Sequence, residues 1–454
     1  MSDDRTPPLN RCLHELQQAV AALGGPADHP RLNDLAELII ESMTGPWRSF
    51  HTPDHIFDVG QGGTPVEVIA ALFHDLVYVQ VDSGIHVNLA RYLVPYIHET
   101  PKGLVIELAD PQVDEPLQLC LSLFGFQVGQ LMSPFAGQNE FLSALVAAKA
   151  LQGVLPKSAL AQVVACIEAT VPFRGNNPQG QTCSQVLFER LLALAPSVGL
   201  DEAACMDTVR MAVRVANRDI GNFASEHPSD FLNNTWNLIP ETNHDLVSTN
   251  TYTAEGYRIS LQKMEGFLSF LQPAVVFRQF DAEPADAVHQ RRLTLTQRNL
   301  EVARLYLRSK LVSIALIEAL SLRMGKGIAL ASMMGSAPAD GEEQGMRLEL
   351  YLPPVGQPYQ PANADEAVVM DLLETGRSAD SIHDVRHSPV ASYAVKALGM
   401  PGMLSLLEQA RAFFAGKLTP EAFLACTPEI TQTLQKAACE VLRMRVQVLS
   451  GPAA

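Results

Sequence analysis

Apolar residues recur three and four positions apart along most of this chain, and that spacing commits it to helices. Leu13, Leu16, Val20 and Leu23 form one such stripe; Leu35, Leu38, Ile39 and Met43 form another. The same period runs through 86–98, 139–155, 157–170, 184–195, 202–224, 255–279 and 286–324. A stripe of this period occupies one face of a helix and has to be buried against another element. Period-two alternation, the mark of a half-buried strand, is scarce. Its one persuasive instance is 346–352, MRLELYL. The expected fold is therefore all-α, with at most a stray strand or hairpin.

Two stretches interrupt the helical pattern. Residues 334–345 (MGSAPADGEEQG) are small, acidic and Gly-rich, and 353–364 (PPVGQPYQPANA) carry four Pro. Proline forbids a helix interior and favours an extended path. The expected division is a helical domain over 1–280, long connecting helices over 281–335, a Gly/Pro-rich linker or insertion over 336–364, and a C-terminal helical unit over 365–454. The pattern at 286–324 reads first as an ordinary core helix, with a homodimer seam as the alternative.

Composition removes several classes of function. A net charge of −16 over 454 residues excludes a generally basic nucleic-acid binder and disfavours a polynucleotide substrate. Hydrophobic residues at 47% and charged residues at 18% describe an ordinary folded chain. Seven Cys are scattered without a C-x-x-C, which reads as reduced thiols and not as a disulfide or zinc framework. The start, MSDDRTPPLNR, is acidic and polar, unlike a signal peptide. No uninterrupted apolar run has the length of a membrane span; 311–320 (LVSIALIEAL) is short and contains Glu318. The expected setting is cytoplasmic, without a membrane partner.

Chemistry concentrates in 47–75, WRSFHTPDHIFDVGQGGTPVEVIAALFHD, which holds three of the twelve His. Thr52-Pro53-Asp54 is a helix-start signal, placing His51 just before a short helix and His55 in its first turn. Thr64 with Glu67 forms a capping box that opens a second helix, VEVIAALFHDLVYV. His74 and Asp75 are expected in the middle of that apolar run. Successive residues point about 100° apart, so both cannot escape burial. A bare buried carboxylate is costly, so Asp75 should be paired or hold a metal. Two imidazoles and a carboxylate suit a divalent cation such as Zn, Mn, Fe, Ni or Co. The best further ligand is Asp219, which interrupts the buried face of VRMAVRVANRDIGNFA as Asp75 interrupts its own.

His55, His74-Asp75 and Asp219 resemble the H…HD…D signature of the HD-domain superfamily of metal-dependent phosphohydrolases. Residues 50–59, FHTPDHIFDV, are similar to the Y-H-N-x-x-H-A-x-D-V stretch of cyclic-nucleotide phosphodiesterases, and 70–75, AALFHD, to the stretch that follows. Val77-Tyr78 extends the likeness to the H-x-x-x-H…A-x-F-H-D-x-V-Y pattern of bacterial HD phosphohydrolases. The resemblance covers about residues 30–225 and implies an HD-type helical core. It departs from two-metal relatives: 99–218 contain no His, and Val171 stands where an Asp would be expected. One ion per chain (Mn, Zn, Ni, Fe, Co or Mg) is favoured, while Glu168, His86 and Asp82 are the candidates for a second.

The resemblance implies hydrolysis of a phosphoester in a nucleotide or other small phosphorylated metabolite. Asp75 would be both ligand and orienter of the attacking water, with Asp219 as the alternative orienter. His51 would protonate the leaving oxygen. Arg48, Arg174 and Arg218 are candidate phosphate clamps, and Lys149 a candidate to reach the pocket. Two alternatives stay open: a non-catalytic HD module that binds a nucleotide or partner, and a metal-dependent oxygenase on the same fold. Another His-Asp pair, His383-Asp384, lies in the polar stretch RSADSIHDVRHSP and reads as a loop.

Overall fold

A computed structural model describes residues 7–107, 114–247, 252–335, 347–381 and 383–450. Helices dominate them, as the spacing requires. The one sheet among the described residues is a hairpin of Ile97–Thr100 with Gly103–Ile106, antiparallel, Ile97 facing Ile106 and Thr100 facing Gly103. It begins inside a stretch expected to be helical. The expected strand at 346–352 does not form over its described part; Leu348–Tyr351 is a short 3-10 turn. There Leu348 is buried and Leu350 exposed, so the alternating leucines share no single buried face.

The chain divides into two units, and not at the expected boundaries. The first is Met1–Phe223 with Gln272–Thr294; the second is Ala224–Leu271 with Leu295–Ala454. The helix Asp286–Ser321 therefore contributes to both. Residues 347–364 are no free linker: Leu348 is fully buried, and Tyr359 donates its amide to the Lys396 carbonyl. The rest of the expected linker, 336–346, lies outside the described residues.

In the first unit the helix Lys157–Ala169 is apolar nearly all round and is packed by Gln138–Leu151, Glu202–Asp219, Pro65–Phe73 and Cys183–Val198. Ile69, Leu72, Phe73, Val163, Ile167 and Val209 are among its fully buried side chains. Burying each such side chain stabilises the fold by about 1.5–3 kcal/mol. In the second unit Trp236 packs edge-on against Tyr306, centroids 5.4 Å apart, and both are buried. Proline in the first turn starts Pro53–Gly60, Pro65–Phe73, Pro228–Thr242 and Pro420–Leu424, where its missing N–H leaves nothing unsatisfied.

The helix Pro389–Phe414 alone, among the described residues, is long and apolar enough to cross a membrane, with a mean hydropathy of 1.3 over eighteen residues. Lys396, Glu408 and Arg411 punctuate the run. Half of its apolar window is buried inside the protein. It kinks at Gly399 (φ 70°), where a Cβ would sit 2.8 Å from the Tyr359 ring, so only glycine fits.

Candidate metal centre

All four expected ligands come together in the first unit. His55 stands in the first turn of Pro53–Gly60, as the Thr52-Pro53 start signal required. Asp219 is the last residue of Glu202–Asp219. The capping box at Thr64 and Glu67 forms, but the helix it opens stops at Phe73 and does not run through His74 and Asp75 as expected. His74 caps that end and Asp75 lies beyond it. The freed backbone groups are taken by other segments. Arg48 donates to the carbonyls of Asp75 (2.8 Å) and Leu76 (3.2 Å), and the Val77 amide donates to Ser143 Oγ (3.0 Å). That satisfaction lets the chain turn out of the helix in a buried place.

The donor atoms of His55, His74, Asp75 and Asp219 lie within 4.8 Å of one another. His74 Nε2 is 2.9 Å from Asp75 Oδ2 and 3.4 Å from Asp219 Oδ1; His55 Nε2 is 3.3 Å and 3.1 Å from the same two oxygens. Ligands about 2.1 Å from an ion stand about 3.0 Å apart at right angles and about 3.4 Å apart at tetrahedral angles. The separations between these atoms, 2.9–3.4 Å, match that range. His74 Nε2 and Asp75 Oδ2 are buried, face each other and find no well-aligned hydrogen-bond partner. His74 Nδ1 lies 2.7 Å from the Ala71 carbonyl, which can only accept, so Nδ1 carries a proton and Nε2 is the nitrogen turned to the carboxylates. The residues present fit a divalent cation.

The electrostatics agree. Burial disfavours the charged imidazole of His55, but Asp219 and Asp75 outweigh it and raise its pKa to about 9. His74 is raised well above its ordinary value by the same two carboxylates, again against burial. Burial opposes ionisation of Asp75 and Asp219, yet the neighbouring imidazoles prevail: His74 foremost holds Asp75 well below the carboxylate range, and His55 with His74 lowers Asp219. Two carboxylates demand positive charge here, and without a cation the imidazoles supply it as protons.

Access is one-sided. The His74 side chain is 1% exposed, while those of Asp75 and Asp219 are 16% and 15% exposed. His51 is on the open side, its Nε2 3.9 Å from Asp75 Oδ2 and its ring 4.6 Å from that of Tyr78.

The other candidates are engaged elsewhere. Arg48 is buried on Asp82 (2.6 Å) and on the two carbonyls that shape the Asp75 turn, so it positions a ligand and is not a phosphate clamp. Asp82 is thereby occupied as well. Lys149 pairs with Asp114 and Tyr96. Arg174 holds the buried carboxylate of Glu168 at 2.5 Å, and His86 Nδ1 caps the helix Val87–Leu93. Glu168 and His86 belong to no second ligand cluster among the described residues. Arg218 donates to the Val59 carbonyl at 2.6 Å and keeps Nη2 without a partner.

Sequence reasoning missed Glu140, in the first turn of Gln138–Leu151. Burial, reinforced by Asp75 and Asp219, pushes its pKa up to about 7, and its buried Oε2 has no partner. An acid in a helix's first turn reads as dipole compensation, so only the tertiary neighbours mark it. Sequence reasoning also missed how Asp219 is steadied. Arg214 bonds Glu67 at 2.7 Å, and the Asn217 side chain accepts from the Arg278 amide and donates to its carbonyl.

No protein-family model matches this chain, and neither the curated proteins nor the solved structures yield a significant match.

Proposed function

We propose that the chain is a metal-dependent phosphohydrolase of the HD type, cleaving a phosphoester of a nucleotide or another small phosphorylated metabolite with water. One observation carries this reading: two imidazole nitrogens and two carboxylate oxygens, in the chain order H…HD…D, are spaced as ligands of one shared ion. A divalent cation held there would supply Lewis acidity and a water acidified toward neutral pH; Mn, Fe, Zn, Ni and Co all suit the donor set. Asp75 and Asp219, on the open side, orient the attacking water through their oxygens. His51, beside Asp75, protonates the leaving oxygen from Nε2.

The test is metal analysis of the purified chain, followed by a phosphodiester and phosphomonoester screen. The expected result is close to one divalent ion per chain and hydrolysis that Asp75→Ala abolishes together with the metal. Retained metal with oxygen consumption and no phosphoester cleavage would replace this reading with an oxygenase. Absence of metal, with ligand binding unaltered in Asp75→Ala, would replace it with a non-catalytic module.

A further inference from the structure

The four ligands stand on, or just past the end of, three helices, and one buried carboxylate that is not a ligand links those helices. Glu67 lies in the first turn of Pro65–Phe73 and is 1% exposed. Its Oε2 accepts the Thr64 amide at 2.6 Å and so closes the capping box. That duty needs a single oxygen, is served as well by glutamine, and does not require burial. The other oxygen is the unexplained part. Oε1 accepts from Arg214 Nε at 2.7 Å, and Arg218 Nη1 lies 3.8 Å from it. A carboxylate taken out of water demands such partners. Both come from Glu202–Asp219, the helix whose last residue is a ligand.

The links reach every ligand. Glu67 and His74 are seven positions apart, two helical turns, so they share a face of Pro65–Phe73 and its end. Arg218 immediately precedes Asp219, and its Nε donates to the Val59 carbonyl at 2.6 Å. Val59 stands one turn after His55, where a helix's last carbonyls have no partner of their own. Arg214 has a further partner, with Nη1 3.0 Å from Glu283. Glu283 belongs to a strap, 278–283, whose Asp281 pairs with Arg210 and whose Arg278 backbone is clasped by Asn217. Positions 210, 214 and 217 recur a turn apart, so the strap follows one face of the helix. A metal site tolerates errors of only about 0.2 Å in its ligand distances. None of Glu67, Arg214 and Arg218 is among the four ligands, yet together they hold the helices that carry them.

We propose that Glu67 is a positioning residue of the metal centre. Through Arg214 and Arg218 it sets the spacing of His74 and Asp75 against His55 and Asp219, and with it the affinity for the ion and the coordination geometry. The inference rests on the metal-centre part of the function proposed above, and not on the reaction the ion serves.

The probe is cobalt(II), added to the metal-free full chain. Chelator competition gives its affinity, visible absorption its coordination, and denaturant unfolding of the metal-free protein the stability. Glu67→Gln keeps an oxygen for the Thr64 amide and removes the charge; Arg214, 33% exposed, is left within reach of water and Glu283. This variant should bind cobalt about 10–100-fold more weakly and shift its absorption band. Arg214→Gln should do the same, and Glu67→Gln with Arg214→Gln should lose no more than the worse single variant, since both remove one link. Asp201→Ala takes the cap from the start of Glu202–Asp219 and leaves the link intact, so it should lower stability and change neither affinity nor band. If a single variant does not fold, the double variant, which leaves no buried charge unanswered, takes its place. The inference is overturned by wild-type affinity and absorption in Glu67→Gln, by the same changes in Asp201→Ala, or by losses that add in the double variant. Cobalt lost in His74→Ala and held at full affinity in Glu67→Gln would remove this inference alone; a wild-type chain that binds no cobalt would remove the metal centre itself.

Discussion

Of the chain's three His-Asp dipeptides two stand in largely buried settings, and these two behave oppositely. His74-Asp75 faces a second carboxylate and a second imidazole; His383-Asp384 faces Lys310 and Arg377. The first setting is short of positive charge, so the pKa of His74 rises. The second has positive charge to spare, and with burial it brings His383 down to about 4. Asp384 Oδ2 accepts three hydrogen bonds from within the protein, whereas the buried Asp75 Oδ2 and His74 Nε2 make none. A motif of two letters thus defines nothing by itself. The sign of the charge around it decides whether it invites a cation or forms an internal salt link.

The sharpest way to break this comparison is to remove the imidazoles. His74→Ala should eliminate bound metal and lower phosphoester turnover by a thousandfold or more, roughly the scale of losing an essential catalytic group. His383→Ala should leave metal content and turnover unchanged, as read by elemental analysis and the same assay. The carboxylates come next. Asp384→Asn strands Lys310 and Arg377 and should cost about 3–5 kcal/mol in denaturant unfolding, without changing metal content. Arg48→Lys should then weaken metal affinity by about 10–100-fold, because the bidentate hold on the Asp75 turn is lost while the ligands stay; competition with a chromogenic chelator measures it.

The smallest effect is a pH dependence of opposite sign in the two units of metal-free protein. His55 is raised to about 9, so the stability it contributes is complete below about pH 6.5 and fades as the pH climbs through about 9. Asp384 is held below the ordinary carboxylate range; burial opposes this, and Lys310 and Arg377 prevail. Its contribution is complete above about pH 4 and is lost as the pH falls through its folded value. Hydrogen exchange should therefore show the first unit loosening in alkali and the second in acid. Loading with metal should cancel only the alkaline effect. The same direction in both units would contradict the charge assignment.

The ligand set was legible because polar residues at 74, 75 and 219 interrupt faces that the helical period assigns to the core. The all-α class was legible for the same reason. The end of the helix at Phe73 was not. Nothing in VEVIAALFHDLVYV signals a stop, since Arg48 and Ser143 accommodate the freed backbone groups from a distance. The conversion of Arg48 from expected clamp to scaffold has the same origin. The loop reading of His383-Asp384 holds for its backbone but missed its buried partners, which arrive from Trp236, Tyr257 and Lys310, more than seventy positions earlier in the chain. The unit boundaries were invisible because they follow contacts and not composition: 347–364 looks like a spacer, yet Leu348 is core.

The alternation of the two units along the chain has a consequence for how this protein is made. Arg278, which clasps Asn217 two positions before Asp219, is synthesised only after 224–271, a stretch whose own partners lie beyond 295. On the ribosome, neither body can be finished before the other has begun. No single point of truncation yields either one both whole and alone, so an expression fragment ending near 225 would carry all four ligands and still lack the brace that holds the last of them.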